Sequence, residues 1–149
     1  MPNPSAHDLE LIARVRENPR AYLSPGRTTD LRDIALELAN DALYLGAEAI
    51  DIRRLGLWFL VSASIDWIAQ ESRWSPPEVF FRIQLFHAYR QNATRATILP
   101  TAFAEDVATF VGATGLVVQG CTEGFTELEA YVRAEYRGSR VVAFRGSRP

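Results

Sequence analysis

The stretch LRDIALELANDALYLGAEAIDIRR, residues 31–54, changes its hydrophobic period partway along and thereby decides the class of fold. From Leu31 to Leu45 apolar residues recur every three or four positions, which predicts one helix with Asp30 as its N-cap. Beyond Gly46 apolar and charged residues alternate, which predicts a strand from Ala49 to Arg53. A helix that leads directly into a strand indicates a domain of mixed helix and sheet.

The flanking segments continue this mixture. A second strand is predicted at Leu57–Ser62, next to the first, with a turn near Arg54-Leu55-Gly56. Further helices are predicted at 7–18, at 76–91, at 94–111 with a kink or a division at Pro100, and in FTELEAYVRAEY. Further strands are predicted in GLVVQG and RVVAF. The predicted fold is α/β (α+β), a two-layer sandwich with helices packed on one face of a mixed or antiparallel sheet.

Composition indicates one globular domain covering residues 1–149. The chain is 48% hydrophobic and 23% charged, and 149 residues can bury a sizeable core. With a net charge of −2 and a pI near 5.7, no general field attracts nucleic acid or anionic lipid, so we expect neither partner. No leader or membrane-spanning run is evident and Cys121 is the single cysteine, which favours the cytoplasm.

The segment ELANDALYLGAEAIDI, residues 37–52, resembles the first motif of the Bergerat-fold ATPases, the superfamily of gyrase B, MutL and the histidine kinases. That motif is a helix reading E-L-x-x-N, a small residue, D-A-G-A, and a strand reading I-D-I. The resemblance places Glu37 at the family's general base. The other coincident positions are Gly46, Ala47, Ile50, Asp51 and Ile52.

Two more segments are similar to gyrase B. VRENPRAYL, residues 15–23, is similar to the segment before the motif helix, and ATILPTAF, residues 96–103, to the stretch before the nucleotide lid. The likeness runs in order from about residue 12 to 120. It implies a cofactor-binding position at Thr101.

The departures from the family fall on the residues that bind nucleotide. Asp41 replaces the asparagine that holds magnesium, although a carboxylate can still ligate that ion. Where the family has an adenine-reading D-x-G-x-G, this chain has Ala63, Ile65 and Trp67, and no glycine-rich lid follows Gly120. The resemblance therefore implies a degenerate nucleotide site.

Candidate site residues fall on the predicted helix and after the second strand. Glu37, Asp41 and Tyr44 share one helical stripe, where two carboxylates can bind a cation or supply a base; a solvated helix face is the alternative. Cofactor-binding candidates lie at the end of the second strand and just after it, namely Ser62, Ser64, Asp66 and Trp67. The alternative is that Ser64 or Asp66 caps a helix and that Trp67 fills the core.

Arginines supply a further hypothesis, because guanidinium groups match carboxylates and phosphates. Arg95, with Arg82, Arg90 and Asn92, can clamp an anion, and surface ion pairing is the alternative. His87 and Cys121 lack the partners that a zinc site or a nucleophile requires, so we interpret them as an ordinary histidine and an incidental thiol.

Three functions remain open. The leading hypothesis is a non-hydrolysing protein that binds a small molecule or a protein partner on a degenerate ATPase-like scaffold. The first alternative is an enzyme that reuses the former nucleotide pocket, with Glu37 or Asp41 as acid, base or magnesium ligand. The second is an immunity or antitoxin-type partner protein. No particular cofactor is indicated, and the oligomeric state is open.

Overall fold

The computed structural model describes residues 4–86, 94–112, 114–120, 123–136 and 140–146. The helices are α1 (Ala6–Glu17), α2 (Leu31–Tyr44), α3 (Leu99–Phe103) and α4 (Phe125–Glu135). The strands are β1 (Ile50–Leu55), β2 (Trp58–Ala63), β3 (Asp106–Val111), β4 (Thr114–Gln119) and β5 (Val141–Arg145). Short 3-10 turns lie at Pro19–Tyr22, Glu78–Phe81 and Ala96–Ile98.

The strands form one antiparallel sheet in the order β1-β2-β5-β3-β4. Each outer pair is a hairpin of consecutive strands, and β5 lies between the two hairpins and pairs with β2 on one side and β3 on the other. The α+β class and the antiparallel sheet are as the sequence predicts.

Local sequence explains the helix starts and the first hairpin. Ser5 and Asp8 form a capping box at α1, with Ser5 Oγ accepting from Asp8 N (3.1 Å) and Asp8 Oδ2 accepting from Ser5 N (3.0 Å). Asp30 caps α2 by accepting from Arg32 N (2.8 Å). The β1–β2 turn has Gly56 at φ 58°, a conformation that glycine adopts without strain. These elements confirm the predicted helix and strand pair.

Two predicted helices are wrong. Residues 94–111 hold a 3-10 turn, the five-residue α3 and the strand β3, because Val107, Thr109 and Val111 are β-branched residues that pack well in a sheet. In 76–91 only Glu78–Phe81 is helical among the described residues, and Leu85 forms a β-bridge with Thr94. His87, Arg90, Asn92 and Cys121 lie outside the described residues.

Helices cover both faces of the sheet. On the first face α1, α2 and α3 pack over a core that includes Leu38, Val142 and Phe144. On the second face α4 packs Leu128 and Val132 against the sheet. The structure thus adds a third layer to the predicted two, because β2 and β5 present apolar side chains alternately to both faces, as strands buried on both faces do.

None of the helices in the described ranges combines the length and the apolar composition needed to cross a bilayer.

Candidate functional site

Three carboxylates on α2 form a stripe along one side of the helix. Asp33, Glu37 and Asp41 are spaced four residues apart, which places them one above another on consecutive turns. Each accepts a hydrogen bond from a backbone N–H group outside the helix, two of them in the loop before α2 and the third at Ala96. We call these three residues the acidic stripe.

Glu37 holds the loop that precedes α2. Its side chain is 8% exposed, and its two oxygens accept from Ser24 N (3.2 Å) and Ser24 Oγ (3.0 Å). Arg27 Nε lies 3.4 Å from Glu37 Oε1. The carboxylate predicted as a general base therefore already has two hydrogen bonds and an ion pair.

The other members of the stripe have similar roles. Asp33 Oδ2 accepts from Thr28 N (2.8 Å) and Thr28 Oγ1 (2.9 Å), and these bonds lower the pKa of the Asp33 carboxyl. Asp41, the predicted metal ligand, is 4% exposed, and its Oδ2 accepts from Ala96 N (2.6 Å). The stripe thus connects α2 to two segments that cross it.

Arg95 is buried beside Asp41 and links it to the turn after β2. Arg95 Nη1 donates to Gln70 O (2.8 Å) and Nη2 to Trp67 O. Burial lowers the pKa of the Arg95 guanidinium, while the negative charges of Asp41 and Glu71 raise it. Arg95 therefore bridges chain segments in the core, and Trp67, which is fully buried, packs there as well.

Thr101 and Tyr44 also contact protein groups. Thr101 is fully buried and its Oγ1 donates to the carbonyls of Phe80 (2.6 Å) and Ile98 (3.0 Å). The Tyr44 ring meets Phe86 edge to face, with the centroids 4.7 Å apart. Both residues hold neighbouring segments in place.

The loop held by Glu37 encloses the larger of two described pockets. Its volume is about 480 Å³ and its lining consists of Arg20, Leu23, Ser24, Pro25, Gly26, Arg27 and Thr28. Arg27 N donates to Ser24 O (3.1 Å), and Gly26 has φ 82°, as a turn with proline and glycine at its centre requires. Within the described residues Arg20 has no ion-pair partner. We call this space the loop pocket.

Asp66, in the turn after β2, pairs with Arg140, the residue before β5. Arg140 Nε and Nη2 donate to the two Asp66 oxygens, each at 3.0 Å, and Nη1 donates to Thr109 Oγ1 (3.2 Å). Burial raises the pKa of Asp66, but the hydrogen bonds and charge of Arg140 and the N–H groups of Ile68 and Ala69 outweigh it, so that this pKa lies below its usual value.

A separate polar group, on the α4 face of the sheet, surrounds Tyr136. Arg53 Nε lies 2.6 Å from Asp51 Oδ2, and its guanidinium carbon lies 5.0 Å from the Tyr136 ring centroid. Burial and then the charge of Asp51 raise the pKa of the Tyr136 hydroxyl, which has no hydrogen-bond partner within the structure described. Beside Asp51, Ser62 and Ser64 line a shallow pocket of about 290 Å³.

The structure divides the predicted site residues into two groups. Glu37, Asp41, Trp67, Arg95 and Thr101 lie on the α2 face, and so does Thr109, to which Asp66 is linked through Arg140. Ser62 lies opposite Val141 and directs its side chain to the α4 face. Ser64 Oγ accepts from Glu48 N (3.0 Å) and Ala49 N (3.3 Å). Of the arginines proposed to clamp an anion, Arg82 pairs with Asp8 and Glu78, which is the alternative of ion pairing.

Sequence inspection missed Arg20 and Arg27. The available signal was the turn Ser24-Pro25-Gly26-Arg27 directly before the N-cap of α2, a place where a rigid loop presents side chains at the surface. It also missed Arg140 as the partner of Asp66, 74 residues away in the chain.

Comparisons with family models, curated proteins and solved structures found no match to this chain. Among the described residues no group of three or more histidine, cysteine or acidic side chains has the arrangement of a metal site.

Proposed function

We propose that this chain is a non-hydrolysing binding protein that takes a small anion, carrying a carboxylate or a phosphate, into the loop pocket. The observation that carries this proposal is the charge of the pocket lining. Arg27 is balanced by Glu37 at 3.4 Å, whereas Arg20 is not balanced within the described residues, so the lining retains a positive charge. A guanidinium group favours anionic oxygens through charge-assisted hydrogen bonds.

The non-hydrolysing part of the proposal is supported by the acidic stripe. Glu37 and Asp41 both accept backbone N–H groups, so both carboxylates already serve as acceptors that hold other segments to α2. We propose that this scaffold has lost nucleotide hydrolysis and that it acts in the cytoplasm, without a nucleic-acid partner.

Calorimetric titration with inorganic phosphate and with citrate tests the anion site. Arg20→Ala should weaken binding of the responding anion about 10- to 100-fold, since a hydrogen bond to a charged group contributes about 1.5–3 kcal/mol. Arg14→Ala is the matched control, because Arg14 is also an exposed arginine and pairs with Glu10 on α1 at 3.7 Å. This control should bind like the unaltered chain.

Two outcomes would contradict the proposal. One is the absence of binding by both anions at millimolar concentration; the other is equal weakening by Arg20→Ala and Arg14→Ala. Glu37→Gln distinguishes a binding protein from an enzyme, because it removes the charge of the side chain and keeps its shape. If magnesium-dependent hydrolysis of ATP is measured in the unaltered chain and disappears in Glu37→Gln, Glu37 is a catalytic base and the chain is an enzyme.

A further inference from the structure

In the part of the chain that the structure describes, β1 is an edge strand whose outer side pairs with no other strand. The register places Ala49 and Ser64 opposite each other, and Ser64 N donates to Ala49 O at 2.9 Å. Because peptide groups alternate along an antiparallel strand, every second residue from Ala49 bonds to β2 and the residues between them face outward. The outward residues are Ile50, Ile52 and Arg54, and β2 is the one strand that pairs with β1 in the described sheet.

The side chains of β1 give this edge a self-complementary pattern. Ile52 is 39% exposed, a large apolar side chain near the middle of the strand. Asp51 and Arg53 flank it on the other face of the sheet, with exposed side-chain fractions of 40% and 38%. The order acid, isoleucine, base reads as base, isoleucine, acid when the strand is reversed.

We propose that β1 pairs with β1 of a second copy of this chain, antiparallel about a two-fold axis at Ile52. In this register Ile52 faces the partner's Ile52 and exchanges two hydrogen bonds with it. Asp51 faces the partner's Arg53, and Arg53 faces the partner's Asp51. These two pairs occupy non-hydrogen-bonded positions, where opposite side chains are closest. The two sheets then form one continuous sheet with an isologous interface.

The charges of Asp51 and Arg53 favour this register over the registers in which the two-fold axis is shifted by one residue. An axis at Asp51 places two aspartates opposite each other, and an axis at Arg53 places two arginines opposite each other, and like charges in these positions are destabilising. The other edge strand, β4, reads TGLVVQ and has no charged side chain that sets a register. Charges on an edge strand can also prevent pairing, and in that case the chain is a monomer.

Sedimentation equilibrium measures the result directly. The unaltered chain should show, with rising concentration, twice its mass of 16.7 kDa. Asp51→Arg alone and Arg53→Asp alone should each remain at the single-chain mass, because each places like charges opposite each other. An equimolar mixture of the two variants should recover the dimer mass, since each arginine then faces an aspartate.

Ile52→Arg and Leu9→Arg form a matched pair of controls. Ile52→Arg places two arginines at the axis and should abolish the dimer, whereas Leu9→Arg changes a side chain that is 54% exposed on α1 and should leave it intact. Circular dichroism verifies that each variant is folded. A single-chain mass for the unaltered protein at all concentrations overturns the proposal, and so does a dimer that survives Ile52→Arg.

Discussion

The two faces of the sheet use charged side chains differently. On the α2 face Glu37 and Asp41 accept backbone N–H groups of other segments, so these carboxylates hold the helix to the main chain around it. On the α4 face Arg53 pairs with the side chains of Asp51 and Glu135, and the Tyr136 hydroxyl has no partner among the described residues. The α2 face therefore depends on the path of the backbone, whereas the α4 face depends on side chains that can be exchanged in pairs.

The largest effect is expected from Asp41→Ala. This change removes the acceptor of the Ala96 N–H group, and it also removes the negative charge near the buried Arg95 guanidinium. Leaving a buried N–H group without an acceptor and a buried guanidinium without a nearby negative charge destabilises by about 3 kcal/mol. Urea denaturation followed by circular dichroism measures the free energy of unfolding. Asp41→Asn, which keeps an acceptor oxygen, should cost clearly less, and equal costs would show that the N–H contact is unimportant.

Asp66→Asn should have a smaller effect, and that effect should depend on pH. Arg140 loses its charged partner, which costs about 2 kcal/mol at neutral pH for a pair whose acid is partly exposed. Because the folded pKa of Asp66 is lowered, its contribution is present above the unfolded pKa of about 3.9 and disappears as the pH falls through the folded value.

The measurement for Asp66→Asn is the urea midpoint of both proteins at pH 7 and at pH 3. The difference between them should shrink at the lower pH. Glu10→Gln, on the exposed Glu10–Arg14 pair at 3.7 Å, should change neither midpoint noticeably. A difference that is the same at both pH values would contradict the assigned role of the Asp66 carboxylate.

Ser24→Ala tests one contact of the acidic stripe. The variant loses the 3.0 Å hydrogen bond from Ser24 Oγ to Glu37 but keeps the bond from the Ser24 backbone. We expect a loss of about 1 kcal/mol. Thermal denaturation measures it, and hydrogen exchange of the Ser24 amide reports on the loop itself. Faster amide exchange with unchanged global stability would indicate that the contact with Glu37 orders the loop and does not stabilise the rest of the fold.

Tyr136→Phe should have the smallest effect. The Tyr136 hydroxyl is buried without a hydrogen-bond partner in the described structure, so its removal eliminates a desolvation cost and no bond. Thermal denaturation should show stability unchanged or slightly increased. A loss above about 1 kcal/mol would show that the hydroxyl has a partner in solution, such as ordered water.

Local patterns made much of the fold predictable. The start of α2 depends on Asp30 and on apolar residues within the helix itself, and the β1–β2 hairpin depends on a two-residue turn. The strand β3 contradicts the helix predicted at 94–111, although DVATFV is rich in β-branched residues. Its burial from Asp106 to Phe110 comes from its place between β5 and β4.

The layer of α4 and the partners of the candidate residues required tertiary information. An amphipathic helix shows which of its own sides is apolar but not which face of the sheet it covers. The run VVAF in β5, buried at every position, was the available signal that both faces are covered. Asp41 and Ala96 lie 55 residues apart, so their contact could not be predicted from spacing along the chain.

The central position of β5 has a consequence for biosynthesis. During translation both hairpins are synthesised before residues 141–145, and until β5 is in place β2 and β3 each present an open edge of backbone groups. The chain is therefore most exposed to misassembly just before its sheet is completed, because contacts between distant segments form slowly.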